Sequence, residues 1–452
     1  MDAEFSLHQL TQALQGFPAA RRYWVAYSGG LDSHALLHAM VALRARQALP
    51  GVVAAHINHG LQPEAEAWER HCIEICRELR VPCQVIRVHA GPGTGESPES
   101  AARRARYQGL RSLVGEQEML LTAHHRDDQA ETVLLQMLRG AGPAGLAGMP
   151  VCSTFGQGWL ARPLLHVSRA MLEQYGRDQG LRWISDASNA DTRYDRNFIR
   201  HQVLPTLTAR WPAVKRTLLR VAANQQDASC LLDDLAAADY AAVAGPAPAT
   251  LLCTALVALA AERQRNVVRY WLNTLGLPMA RRAHLGVILS QVVVGNSDTS
   301  ACIRWPGAEI RRYRDTLYAM PPRCAAVLGL QAPIAWDLMT PLELMHGQLR
   351  ATAVRGAGLG MRSIRGRGVQ VQWRRGGERC RPTGHRHRRK LKKLLQERGV
   401  PPWERDRLPL IYVDGDLAAV GHLWVCEPFA AREDEAGWLL SWQPVQAQKT
   451  IP

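Results

Sequence analysis

The sequence predicts an α/β protein: a parallel sheet with helices on both faces, followed by a helical domain and a small α+β C-terminal domain. Three observations carry this. Strand-like and helix-like segments alternate from about residue 20 to about residue 145, the mark of βαβ units. A glycine pair, in Ser28-Gly29-Gly30-Leu31-Asp32-Ser33, lies where the first strand turns into a helix. The polar clusters Ser28–Ser33, His56-Ile57-Asn58-His59 and His124-His125-Arg126-Asp127-Asp128 all fall at the carboxyl ends of strand candidates, where ligands of such sheets collect.

Tyr23–Tyr27 reads as the first strand because Trp24, Val25 and Ala26 form a short apolar run. Asp32–Arg44 reads as a helix, with Ala35, Leu36, Ala39, Met40 and Leu43 at helical spacing. The other strands expected are Val52–Asn58, Gln84–His89 and Met119–Ala123; the other helices are Glu64–Leu79, Pro98–Leu113 and Asp128–Arg139. Residues 216–300 are Ala/Leu-rich and helical in pattern, with Arg263–Leu275 stopped by Gly276 and Pro278. Residues 301–320 predict a hairpin across Pro306-Gly307, and 330–360 a linker. In the last domain, His387–Arg398 predicts a basic amphipathic helix with Leu391, Leu394 and Leu395 on one face. Ile411–Leu417 predicts a hairpin with an Asp-Gly turn. The expected domains are 1–215, 216–345 and 346–452.

A chain of 452 residues can bury more than one core. Its longest apolar run, near Leu251 to Ala261, is too short to cross a bilayer, and the start Met1-Asp2-Ala3-Glu4 lacks a signal pattern. A cytoplasmic protein with no membrane partner is expected. The ten cysteines include no Cys-x-x-Cys; Cys72 and Cys76, four apart, fit a buried helix stripe. Net charge is +15, yet residues 362–398 alone hold 14 Lys/Arg and 2 acids, a net +12. One-sign charge this dense suggests a polyanionic partner, with nucleic acid the best fit.

The chemistry starts at Ser28–Ser33. Unpaired N–H groups at a helix start, with the helix dipole behind them, form a cradle for phosphate. No Gly-Lys follows, so this is not a Walker loop. The pattern resembles the PP-loop, Ser-Gly-Gly-x-Asp-Ser, of the N-type ATP pyrophosphatases, whose domain is Rossmann-like. That resemblance implies ATP bound by its outer phosphates and split between the α- and β-phosphates. Asp32 beside a triphosphate calls for a bridging cation, which makes it a candidate Mg²⁺ ligand as well as a helix cap. Asp127 or Asp128 with Glu131 fits a capping box, but two histidines, an arginine and two acids exceed what a cap needs. Arg103 shares a helix face with Glu99 and Tyr107, and Arg196, Asn197 and Arg200 share one side of another helix.

Taken together, Ser28–Ser33, His56–Leu61, Glu99–Tyr107, Ala123–Met149, Arg162–Leu165, Asp186–Pro205 and Arg381–Pro409 resemble the tRNA(Ile)-lysidine synthases. The resemblance implies a ligase that adenylates O2 of the wobble cytidine of a CAU-anticodon tRNA(Ile) with ATP. The ε-amine of L-lysine then displaces AMP at C2, which changes the codon read from AUG to AUA. It implies ATP contacts at Ser28, Gly29, Gly30, Leu31, Asp32, Ser33 and His56, with Asp32 on Mg²⁺. Asp128 and His125 would serve the chemistry and lysine or Mg²⁺; Arg196 and Arg200 would meet the tRNA or the adenylate. Arg103, Arg139, Arg386, Arg388, Arg389, Lys390, Lys392 and Lys393 would contact tRNA. The three domains become a PP-loop catalytic domain, a mainly helical substrate-binding or linker domain and a basic tRNA-binding domain, with a homodimer as a candidate assembly. The rival readings are a PP-loop tRNA thiolation enzyme, disfavoured by the missing Cys-x-x-Cys, a PP-loop amidotransferase, and a non-catalytic nucleotide-gated RNA-binding protein.

Overall fold

Val25 and Leu120 lie on adjacent parallel strands, and both are fully buried because helices cover the sheet on each side. The computed structural model describes residues 4–58, 60, 64–88, 91, 98–294, 301–322 and 332–444. His59, Leu61 and His89 of the sequence reading lie outside them. The chain divides into two compact units, Met1–Leu232 and Asp233–Pro452.

In the first unit, β1 (Arg22–Ala26), β2 (Gly51–Asn58), β3 (Cys83–Arg87), β4 (Glu118–Leu121), β5 (Cys152–Phe155) and β6 (Gly158–Ala161) form one sheet in the order β3-β2-β1-β4-β6-β5. All neighbours are parallel except β5, which pairs antiparallel with β6 at the edge. Side chains alternate between two cores, as the pleat requires. Tyr23, Val25, Met119 and Leu121 join α1 (Leu7–Gln15), α2 (Leu31–Arg46) and α3 (Ala65–Glu78) in one. Trp24 and Leu120 join Leu110 of α4 (Pro98–Leu113) in the other. Cys72 and Cys76 sit in the first core, on the buried stripe of α3 that their spacing predicts. Helix α5 (Arg126–Leu138) follows β4. The order of strands reverses between β1 and β4, so the loops after these two strands flank the point where open α/β sheets bind ligands.

In the second unit, the helix Ala261–Thr274 packs Trp271 and Val267 against a four-stranded antiparallel sheet that includes Cys302–Trp305, Ala308–Tyr313 and Thr316–Met320. The Pro306-Gly307 hairpin is therefore present, with Cys302–Trp305 at the sheet edge and two further strands, Thr316–Met320 and Thr250–Leu252, beyond Ala308–Tyr313. The expected linker is not one: Gly347–Arg355 is a strand paired along its whole length with Ala436–Pro444. Its partner lies some ninety residues further on, so the pairing leaves no local signal. The basic helix is shorter than the sequence predicts, Leu391–Glu397, because Arg389–Lys390 pair with Arg379–Cys380 as strands. Leu391, Leu394 and Leu395 are buried as expected. The Asp414-Gly415 hairpin turn has both residues at positive φ, as a two-residue turn of this hand requires. Among the described residues, no helix is long and apolar enough to cross a membrane.

Candidate active site

At the end of β1 the chain turns through Tyr27–Gly30 into α2. The first helical bond runs from His34 N–H to the Gly30 carbonyl, so the N–H groups of Leu31, Asp32 and Ser33 take no helix carbonyl. Two hydroxyls, those of Ser28 and Ser33, lie 3.0 Å apart and brace the turn. Ser33 Oγ donates to the Gly30 carbonyl at 3.0 Å and accepts from Ser28 N–H at 3.2 Å. Gly29 has φ +82°, and a Cβ there would lie 2.8 Å from Ile184 Cδ1. Its bareness thus serves the packing behind the loop, while Ser28, Gly30, Leu31, Asp32 and Ser33 line a cleft of about 460 Å³. That volume is in the range of small-molecule sites.

The far wall of this cleft comes from the end of β4 and the start of α5. His125, 1% exposed, caps α5: its Nδ1 accepts from Asp128 N–H at 3.3 Å, and Asp128 Oδ2 accepts from His125 N–H at 3.0 Å. The capping pair is thus His125 with Asp128, and Glu131 is freed for another task. His125 Nε2 lies 3.5 Å from Asp32 Oδ2 and 3.4 Å from Asp128 Oδ2, which ties the two loops together. Burial opposes charge on this ring, but the hydrogen bond to Asp32 and the carboxylates of Asp128 and Asp127 prevail and raise its pKa. The other oxygen of Asp32, Oδ1, is buried without a hydrogen-bond partner among the described residues.

Asp128 and Glu131 are held by two arginines from the segment after residue 194. Arg196 reaches Asp128 Oδ1 and Glu131 Oε2, both at 2.8 Å. Arg200 reaches Glu131 Oε1 at 2.6 Å and Asp128 Oδ1 at 3.1 Å. Burial would push the Asp128 carboxyl up; the charges of His125 and Arg196, with the hydrogen bond from His125 N–H, outweigh it and keep the pKa below the ordinary value. Asp127 is anchored elsewhere, by Lys215 and by Arg169 N–H.

The structure gathers Ser28, Gly30, Leu31, Asp32, Ser33, His56, Asp128 and Arg200 around one cleft. His125 and Arg196 stand behind it as supports. Arg103 is exposed on α4 with its guanidinium over the Tyr107 ring at 5.1 Å, and Arg139, also exposed, ends α5. In the second unit Arg386, Arg388, Lys390, Lys392 and Lys393 are exposed, and Arg389 pairs with Glu397. The sequence reading placed His124 in a polar cluster without a role of its own, gave Glu131 only as a cap partner, and missed Thr122. Glu131 stands one helical turn after Asp128, and Thr122 and His124 are two apart at a strand end; both spacings put side chains on a shared face. Cys72 and Cys76 lie in the core and do not line the cleft.

This fold and loop define a PP-loop nucleotide-binding domain, and residues 2–207 match the family model described as PP-loop domain. Residues 251–318 match the TilS substrate binding domain and residues 369–442 the TilS substrate C-terminal domain. The chain is 42% identical over 432 residues to the tRNA(Ile)-lysidine synthase of Methylococcus capsulatus, covering 95% of this chain and 98% of that protein. It is 42% identical over 435 residues to that of Alkalilimnicola ehrlichii, covering 95% and 96%. With that of Coxiella burnetii it shares 39% over 446 residues, covering 97% of each. The chain belongs to the tRNA(Ile)-lysidine synthase family.

Proposed function

We propose that the protein forms lysidine at the wobble cytidine of a CAU-anticodon tRNA(Ile), using ATP and L-lysine. One observation carries this beyond the family name: a single cleft is lined both by the phosphate-binding loop and by the carboxylate–arginine cluster of Asp128 and Arg200. O2 of cytosine is a poor leaving group. Its attack on the α-phosphorus of ATP releases pyrophosphate and makes it part of a good one. The ε-amine of lysine then attacks C2, and AMP departs carrying that oxygen.

The free N–H groups of Leu31, Asp32 and Ser33 and the dipole of α2 suit the outer phosphates and the charge that develops as pyrophosphate leaves. The unpartnered buried Oδ1 of Asp32 fits one ligand position of Mg²⁺, which is held chiefly by phosphate and water. Bound there, Mg²⁺ would neutralise phosphate charge. Asp128, kept ionised beside the cleft, suits an incoming ammonium, and Arg200 suits the adenylate phosphoryl or a tRNA phosphate. Lys390, Lys392 and Lys393, exposed and without an ion pair among the described residues, suit tRNA phosphates. The division into 1–215, 216–345 and 346–452 belongs to this reading, and the three family matches support it. A tRNA substrate goes with a cytoplasmic location.

The test is incubation with ATP, labelled lysine and a CAU-anticodon tRNA(Ile) transcript, followed by nucleoside analysis. The expected result is one lysine-bearing nucleoside replacing one cytidine, with AMP and pyrophosphate in equal amounts. Lysine-independent turnover that leaves the cytidine intact would overturn it.

A further inference from the structure

Two neighbouring histidines sit at the end of β4, and they have opposite surroundings. His125 is sealed among carboxylates and caps a helix. His124 is partly exposed and lines the cleft. Its Nδ1 lies 2.9 Å from Thr122 Oγ1, and Thr122 is itself fixed by its N–H to the Ala161 carbonyl at 3.0 Å. The hydrogen bond to Thr122 fixes the plane of the ring. Among the described residues, Nε2 of His124 meets no hydrogen-bond partner.

The groups that face this ring come from four segments. Asp128 of α5 is the anion; Arg162 after β6, Arg196 and Arg103 of α4 are the cations. Arg162 is 7% exposed, gives Nη1 to the Pro150 carbonyl at 2.7 Å and forms no carboxylate ion pair among the described residues. Burial first, and then these cations against Asp128, lower the pKa of His124 to about 3. The ring is therefore an uncharged hydrogen-bonding group at neutral pH. Such a group suits the edge of a neutral nucleobase, whereas the arginines suit phosphate.

We propose that His124 is the residue that contacts the acceptor nucleobase, through Nε2, and that Thr122 is its positioning residue. This rests on the proposed reaction and goes beyond it by assigning the base contact. The same tautomer question runs through both residues. If the Thr122 hydroxyl donates to Nδ1, Nε2–H is a donor to the ring nitrogen or O2 of cytosine; if Nδ1–H donates, Nε2 accepts from the exocyclic amine. Either way the contact is lost when the imidazole is removed, and loosened when the Thr122 hydroxyl is removed.

The experiment measures pyrophosphate release in single turnovers with ATP and tRNA but no lysine, beside full lysine incorporation. His124→Ala should slow tRNA-dependent pyrophosphate release roughly 10- to 100-fold, the effect of losing one hydrogen bond in a desolvated site. ATP affinity should stay within about twofold, because no loop contact changes. His124→Gln, which keeps an uncharged hydrogen-bonding side chain, should recover most of the loss, and Thr122→Val should show a smaller one. Recovery by glutamine is the readout that a purely structural histidine would not give. Wild-type rates in His124→Ala, or equal loss of ATP and tRNA binding in it with no recovery by glutamine, would overturn the assignment. If the wild-type protein incorporates no lysine at all, the proposed reaction fails instead; if it does so and His124→Ala matches it, only the base contact fails.

Discussion

Arg196 and Arg200 each lie within 3.1 Å of buried carboxylates, two cations against two anions. Along Arg386–Lys393 the pattern is different. Arg389 pairs with Glu397 and Arg388 stands 4.0 Å from Asp416, while Arg386, Lys390, Lys392 and Lys393 have no ion pair among the described residues. The first arrangement is rigid and close to neutral. The guanidinium forks fix the carboxylates to a fraction of an ångström, at a desolvation cost that their mutual hydrogen bonds offset. The second is solvated and open, so its charge is available to a polyanion and is screened by salt. Precise chemistry needs the former and loose, strong capture needs the latter.

The comparison can be broken most forcefully at the paired cluster. Asp128→Asn leaves Arg196 and Arg200 facing one carboxylate and removes the anion from the cleft; kcat for lysine incorporation should fall by about 10²–10⁴. Unchanged turnover would remove Asp128 from the chemistry. Gly29→Val comes next. It forces a branched side chain into a left-handed conformation and against Ile184, so ATP affinity should drop at least about tenfold, with stability lowered by about 1–3 kcal/mol. Titration calorimetry and urea melts would read both.

The open cluster should respond differently. Changing Lys390, Lys392 and Lys393 together to Glu should weaken tRNA binding roughly 10- to 100-fold at low salt, with ATP binding unaltered. The slope of log affinity against log salt should become shallower by about 2. A smaller contrast sharpens the same point: Arg389→Ala, whose cation is already engaged by Glu397, should cost less than Lys392→Ala. Equal losses would mean that pairing does not decide availability.

The smallest effect is on stability against pH. Burial lowers the pKa of His34 to about 4 and that of His124 to about 3, each below the ordinary histidine value of 6.5. The unfolded chain then binds more protons than the folded one. Their contribution is complete above about pH 6.5 and is lost as pH falls towards 4. His125, raised by its carboxylates, acts with the opposite sign and loses its contribution as pH rises. A fall in the urea midpoint between pH 6.5 and 4.5 is expected, and in His34→Gln it should be smaller.

Much of this was legible in the residues. The Ser28–Ser33 loop, the alternation of strands and helices, and the basic cluster are local patterns, and local patterns survive in a single sequence. Glu131 was legible as a helix residue but not as the partner of Arg196 and Arg200, which lie more than sixty positions away. The strand Gly347–Arg355 was read as a linker for the same reason. The roles of His124 and His125 were not separable by type, since identical side chains one residue apart differ only in which face of the strand end they take. Long-range pairing and facing direction are properties of the fold, and the sequence encodes them only jointly.

The most direct measurement labels O2 of the wobble cytidine with ¹⁸O and follows the oxygen through one turnover with ATP and lysine. If the cleft primes the base by adenylation, the AMP recovered carries the label and lysidine does not. Unlabelled AMP formed alongside lysine incorporation would contradict the account.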